Sequence, residues 1–259
     1  MLSRRLDDIR QRIQQACRRC GRAPDSVTLV GVTKGVPPER IEEAIRAGLT
    51  DLGENRVQEA AAKQLAQGSR LKAQGEDSSL QPSAFSLERV RWHMVGHLQR
   101  NKAKEAVELF DVIHSVDSLK LIEELERQAA KLAQGSRLKA QGKRIRRVEV
   151  FLQVNIAQEA TKFGCTPEDA MQLAAAVRRC PHLSLRGLMT IPPFTEDPVG
   201  ARGYFRGLRT LRDQLAGALS LEPSALSLSM GMSHDFEVAI EEGADLVRIG
   251  TGIFGARAS

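Results

Sequence analysis

The chain has 259 residues, 42% of them hydrophobic and 27% charged, with a formal net charge of +6. That length suits one or two ordinary domains or a single α/β barrel. No run of about 18 apolar residues occurs, which excludes a transmembrane helix. The stretch from Met1 to Arg10 is basic but has no apolar segment after it, so a signal peptide is not expected and the location expected is cytoplasmic. The positive charge is concentrated rather than spread. The eleven letters from Leu65 to Gly75 recur unchanged from Leu132 to Gly142, and the two copies supply four of the six net charges. With one Trp and one Tyr in the whole chain to stack on bases, no nucleic-acid partner is expected. Four cysteines are too few for a disulfide framework. Cys17 and Cys20 have CxxC spacing but no second pair, and they read as reduced thiols on a helix.

The apolar spacing predicts elements in regular alternation. Leu6, Ile9, Ile13 and Ala16 form one face of an N-terminal helix closed by Gly21. A buried strand follows from Val27 to Lys34. Pro37 and Pro38 open a helix that stops at Gly48. A short strand from Thr50 to Leu52 leads to a helix from Val57 to Leu65. Next come a strand from Val90 to Val95, a helix from Leu98, and a strand from Val112 to Ser115. Asp117 and Ser118 start an amphipathic helix with Leu119, Ile122 and Leu125 on one face. After the strand from Val148 to Val154, Thr166 caps a helix with Pro167 at its first position. A strand from Leu183 to Met189, a helix from Ala201 to Leu215, and a strand from Leu226 to Met230 follow. A helix from Phe236 to Glu242 and a strand from Leu246 to Ile249 end the series. Eight βα units after one extra helix predict the α/β class and a single-domain (β/α)8 TIM barrel, with an open doubly wound sheet as the alternative. The repeat copies, within 65–88 and 131–143, read as inserted segments in αβ loops. A related pair, Leu80 to Leu87 and Leu221 to Leu228, also precedes strands.

In such a barrel the chemistry sits where strands end. Those positions carry Lys34, Asn55, His93, His97, His114, Ser229, Ser233, Arg248, Gly250 and Thr251. Strand alternation puts Val30, Val32 and Lys34 on one face. A partly desolvated amine there could attack a carbonyl to form a Schiff base; a lysine snorkelling to solvent is the plainer alternative. The segments Ser229 to Ser233 and Val247 to Thr251 follow strands seven and eight, where backbone N–H groups and hydroxyls commonly cradle a phosphate. Tight-turn geometry alone also accounts for Gly250 and Gly252. A Schiff-base lysine with a phosphate cup describes pyridoxal 5′-phosphate (PLP), although a phosphosugar aldolase needs similar parts. The histidines lack metal-ligand spacing, so no metal is expected. His93 reads as facing the barrel interior or touching the ligand, and Lys162 as a loop lysine on the same face.

Several motifs together resemble one family. They are Val32 to Lys34, Gly53 to Glu59, Trp92 to Gln99 with Asn101 and Lys102, and His114 to Ser118. Gly187 to Thr190, Ser229 to Ser233 with Asp235, and Val247 to Thr251 with Ile253 to Gly255 complete them. The sequence resembles the pyridoxal phosphate homeostasis protein family, a single-domain relative of the alanine racemase barrel. The resemblance implies a barrel with PLP bound as an aldimine to Lys34. It also implies Asn55 lining the pocket, phosphate held by Ser233, Gly250 and Thr251, and Arg248 facing the pyridine nitrogen. His93 is included as a cofactor contact. Two positions depart from the family pattern: Arg56, where an aromatic residue is frequent, and Leu52, where Phe is common.

The family is assigned to intracellular PLP and vitamin B6 homeostasis without an established reaction. The first reading is therefore a PLP-holding protein without catalytic residues, and the second a slow PLP-dependent amino-acid racemase or lyase. In alanine racemases the second base is a tyrosine from an additional C-terminal domain. Here the sequence stops ten residues after Ile249 and its only tyrosine is Tyr204. A guanidinium at Arg248 can only donate, so it meets an unprotonated pyridine nitrogen, which is the poorer electron sink. Expected partners are PLP and PLP-dependent apo-enzymes, with no membrane and a monomeric state.

Overall fold

A computed structural model describes residues 2–74, 90–135 and 147–256, with side chains described in all of these except 67–74. Eight parallel strands close into a barrel in sequential order. They are β1 (Thr28–Val32), β2 (Asp51–Glu54), β3 (Arg91–Met94), β4 (Val112–Val116), β5 (Val148–Gln153), β6 (Leu183–Met189), β7 (Ser227–Ser229) and β8 (Leu246–Ile249). The ring closes where Val30 on β1 pairs with Arg248 on β8.

Nine α-helices occur among the described residues: α1 (Leu2–Arg19), α2 (Pro38–Arg46), α3 (Val57–Gln74), α4 (Ala103–Leu109), α5 (Leu119–Gln134), α6 (Ala170–Arg178), α7 (Arg202–Ala218), α8 (Phe236–Glu241) and α9 (Thr251–Phe254). The extra helix α1 buries Leu6, Ile9, Ile13, Ala16 and Cys17 and packs against α2, α8 and α9. It thereby covers the outside of the seam between the first and last βα units.

The main apolar core lies between the strands and the helices, where Leu52, Met94, Ile113, Leu152, Leu188, Leu228 and Ile249 meet the helix faces. A smaller cluster of Val30, Val112, Phe151, Met189 and Leu246 lies apart from it. Alternation along the strands separates the two sets, as a closed barrel requires.

Several boundaries differ from the sequence expectation. The second strand extends to Glu54, and the helix expected from Leu98 starts as a 3-10 turn at Arg100–Lys102 before α4. The Thr166 hydroxyl does accept the Asp169 N–H at 3.2 Å, but the regular helix begins only at Ala170. The largest difference is α3, which continues to Gln74 instead of stopping near Leu65. The first repeat copy is rich in Ala, Leu, Gln, Arg and Lys, all good helix formers, and Gly68 costs only about 1 kcal/mol against that run. The second copy likewise begins in the last turn of α5. The remainder of both copies, and the stretch from Leu80 to Leu87, lie outside the described residues. No helix is long and apolar enough to cross a membrane among the described residues.

Candidate functional site

A cavity of about 480 Å³ opens at the C-terminal end of the barrel, walled by the segments that follow β1, β2, β7 and β8. Lys34, Asn55, Ser233, Arg248, Gly250 and Thr251 all line it. Val32 also lines it, while Val30 belongs to the smaller apolar cluster. The face predicted by alternation thus runs from the core to the cavity, with Lys34 two residues beyond the last strand residue. Lys34 is half-buried. Its ammonium has no hydrogen-bond or ion-pair partner among the described residues.

The turn carrying Lys34 is clamped from behind. Val36 N–H closes it onto the Thr33 carbonyl at 2.8 Å, and Thr33 N–H reaches across to the Gly53 carbonyl at 2.8 Å. Behind the turn lies a buried ion pair, with Lys63 Nζ 2.5 Å from Glu54 Oε2. Lys63 also donates to the Thr33 carbonyl at 2.6 Å, and the Thr33 hydroxyl donates to Glu54 Oε2 at 2.9 Å. The other Glu54 oxygen accepts the Asn55 N–H at 2.7 Å. One carboxylate therefore ties together the ends of β1 and β2 and the helix α3. Burial raises the Glu54 carboxyl above its ordinary value, against the pull of Lys63. Asn55 is further fixed by Gly96, where an added Cβ would lie 2.4 Å from the Asn55 carbonyl oxygen. Any larger residue there would displace Asn55.

Across the cavity, the segment after β7 turns at Gly231, whose φ of +92° lies in the left-handed region. An added Cβ at that position would lie 2.6 Å from Ala239 Cβ, so glycine also allows α8 to pack close. The Asp235 carboxylate accepts the Met232 N–H at 2.7 Å and pins the loop before α8. The result brings two hydroxyls together, Thr251 donating to Ser233 Oγ at 3.3 Å. The Gly252 N–H points at the same oxygen from 3.4 Å. Small hydroxyls with an adjacent backbone donor suit a phosphate or carboxylate group.

Arg248 forms the floor and is 4% exposed. Its guanidinium donates to Ser229 Oγ at 2.6 Å and to the Thr190 carbonyl at 2.9 Å. Burial pushes it down to about 10, with the Asp235 charge opposing. It therefore stays a cation at neutral pH. Below Arg248 the polar side chains continue into the barrel. His114 Nδ1 lies 2.9 Å from Ser229 Oγ, and His114 Nε2 lies 2.9 Å from His93 Nδ1. His93 Nε2 is 3.0 Å from Asp51 Oδ1. Burial above all, with the Arg248 charge beside it, holds His114 well below the ordinary imidazole value.

Six of the seven expected cofactor-binding residues therefore share one cavity, and His93 does not. It is fully buried and lies three hydrogen bonds below Arg248 in the interior chain, behind Ser229 and His114. A strand residue one step short of the barrel mouth cannot reach past Ser229 and Arg248 above it. Lys162 pairs with Glu159 at 3.0 Å, and His97 stacks on Phe163 with ring centroids 3.8 Å apart. Neither Lys162 nor His97 lines the cavity. Leu52 is buried in the outer core and Arg56 is exposed, so neither departure from the family pattern touches the cavity. Among the described residues no group of three potential metal ligands converges. Sequence reading missed Lys63 and Asp51. A lysine on the inward stripe of Val57 and Ala60, and an acid opening a fully buried strand, were the available signals.

The family model for the alanine racemase N-terminal domain matches residues 5–258. A pyridoxal phosphate homeostasis protein of Aquifex aeolicus is 41% identical over 98% of this chain and 97% of its own length. One from Pseudomonas aeruginosa is 39% identical over 99% and 96%. The chain belongs to the pyridoxal phosphate homeostasis protein family. Among solved structures, PipY of Synechococcus elongatus with PLP bound is 33% identical, with a TM-score of 0.75 over 98% of this chain and 100% of PipY. An alanine racemase of Clostridium difficile shares the fold at 13% identity, with a TM-score of 0.65 over 100% of this chain and 57% of that one. The family's barrel is thus the racemase barrel in topology.

Proposed function

We propose that the chain binds pyridoxal 5′-phosphate covalently through Lys34 and serves in intracellular PLP homeostasis. The observation that carries this reading is the placement around one cavity of a Lys34 amine without a partner among the described residues, a hydroxyl pair and a buried guanidinium. The donor set fits the cofactor. Ser233, Thr251 and Gly250 would hold its phosphate, Lys34 its aldehyde carbon and Arg248 its ring nitrogen, while Asn55 lines the wall. When bound, PLP supplies an electrophilic carbon conjugated to an electron-withdrawing ring.

This chain's residues favour holding over turnover. Arg248 keeps its protons at neutral pH, so the atom it meets has to accept a hydrogen bond, and ring withdrawal is weakened accordingly. A racemase needs a proton-transfer group on each side of the ring. Tyr204, the only tyrosine, sits on α7 and does not line the cavity. On this reading PLP-dependent apo-enzymes are the recipients of the cofactor.

The test is to load the purified protein with PLP, record its visible absorption before and after borohydride, and map the labelled peptide. Label on Lys34 is the expected result. Label on Lys162 or no label at all overturns the reading, and amino-acid turnover at about 1 per second or faster replaces it with an enzyme.

A further inference from the structure

The interior polar chain has a direction, and its direction follows from the chemistry of its two ends. At the cavity end Arg248 is a donor with no acceptor lone pair. Its 2.6 Å contact makes Ser229 Oγ an acceptor, so the Ser229 proton is left for His114 Nδ1 at 2.9 Å. A neutral His114 that accepts at Nδ1 carries its proton on Nε2 and donates to His93 Nδ1. His93 in turn carries its proton on Nε2 and donates to Asp51 Oδ1. At the far end Asp51 is ionised and can only accept, and its second oxygen is held by the Thr50 hydroxyl at 2.7 Å.

The opposite direction fails twice. His114 would then present Nδ1–H to a serine oxygen already facing Arg248, leaving the serine proton without an acceptor. His93 would present a bare Nε2 lone pair to the Asp51 carboxylate. All the links are buried, where a group without its partner costs the full desolvation penalty. Asp51 also lines a cleft of about 460 Å³ on the opposite, N-terminal face of the barrel. The chain therefore spans the barrel interior from one mouth to the other.

We infer that Asp51, His93, His114 and Ser229 are positioning residues that act through one another to hold Arg248 as a fixed donor on the cavity floor. Asp51 sets the tautomer of both histidines, and the tautomers oblige Ser229 to receive Arg248. The consequence for the ligand rests on the PLP reading above: a ring docking over Arg248 has to present an unprotonated nitrogen. The consequence for the protein alone does not depend on that reading. In both histidines Nε2 carries the proton and Nδ1 accepts.

Long-range ¹H–¹⁵N NMR of the cofactor-free protein reads the tautomers directly. Nε2–H on both His93 and His114 is expected, and Nδ1–H on either one overturns the relay. Asp51→Leu removes the far acceptor and should mix the tautomers at both rings. It should also weaken PLP in an absorption titration by about three- to tenfold, a coupling of the size seen between residues of one network. Asp51→Asn keeps an acceptor oxygen and should restore both readouts most of the way. Unchanged tautomers and unchanged PLP affinity in Asp51→Leu also overturn the proposal. If Asp51→Leu does not fold, the tautomers of the wild-type protein still decide. A wild-type protein with the expected tautomers but no PLP uptake would remove the PLP reading and leave the relay standing.

Discussion

Two buried polar assemblies support the cavity, and they are built on opposite principles. Outside the barrel wall, Glu54 and Lys63 form an ion pair 2.5 Å apart with Thr33 wedged against it. Inside the barrel, the five side chains from Asp51 to Arg248 place charge only at the two mouths and neutral groups between. A pair of opposite ions in contact can be buried because each neutralises the other. The interior chain spreads its charges over four hydrogen bonds, and its middle members tolerate burial only by staying neutral. The compact pair fixes where the turn bearing Lys34 leaves β1. The extended chain fixes how Arg248 meets whatever fills the cavity.

The largest expected effect separates the group being held from the groups holding it. Lys34→Ala should abolish borohydride-trapped PLP entirely while the melting curve stays close to wild type, because Lys34 is half-buried and has no partner among the described residues. Residual covalent label in that variant would place the attachment elsewhere. Lys63→Met should do the reverse. It strips one partner from a buried ion pair, at a cost of about 3–5 kcal/mol in denaturant unfolding. Ser229→Ala breaks the neutral chain and should cost less, about 1–3 kcal/mol. A larger loss for Ser229→Ala than for Lys63→Met would reverse the contrast drawn between the two assemblies.

The same contrast explains what could be read from the letters. Alternating strands and helices, Pro37 and Pro38 at the start of α2 and the glycines at strand ends are local signals, and the barrel follows from them. The cavity residues at strand ends were legible for the same reason, since the architecture fixes where a strand end points. Of the two readings open for His93, barrel interior and ligand contact, its buried place between His114 and Asp51 matches the first, and only the packing of the barrel layers separates them. Lys63 escaped notice because its partner, Glu54, belongs to another element, and only the packing of α3 against β2 brings them together. The position of each copy between a helix and a strand points to a loop, but the helix formers of the first copy carry α3 on to Gln74.

Ligand contacts should shift by smaller steps. Ser233→Ala and Thr251→Val should each weaken PLP by about 1–3 kcal/mol, the usual worth of a hydrogen bond to a charged group. The two hydroxyls are 3.3 Å apart, so the double variant should lose less than the separate losses combined. Calorimetric titration with PLP checks both statements. Unchanged affinity in both single variants would move the phosphate away from β7 and β8, whereas strict additivity would mean that the hydroxyls act independently.

The smallest expected effect lies on the outside of the sixth and seventh βα units, where the arginines of a charge cluster reach water instead of being sealed from it. Glu242, at the C-terminal end of α8, meets Arg202, Arg206 and Arg209 of α7 at 3.0, 3.1 and 3.3 Å. An acid at a helix C-terminus opposes the dipole, and three guanidinium groups offset it. Burial alone would raise the Glu242 carboxyl, but the hydrogen bonds from Arg206 and Arg202 outweigh that and hold it below its ordinary value of 4.5. An acid whose value is lowered on folding contributes stability that is fully present above pH 4.5 and is lost as the pH falls through the folded-state value. Glu242→Gln should therefore be less stable than wild type at pH 7 by about 1 kcal/mol or less, since the three arginines stay partly hydrated. The gap between the two proteins should narrow as the pH is lowered below 4.5. The variant will still weaken in acid, because Asp51 and Glu241 are also held below their ordinary values. Melting temperatures of both proteins from pH 7 down to about pH 3.5 decide it. A gap that widens toward acid would mean that Glu242 is protonated in the folded state and that the arginine cluster is held by its neighbours instead.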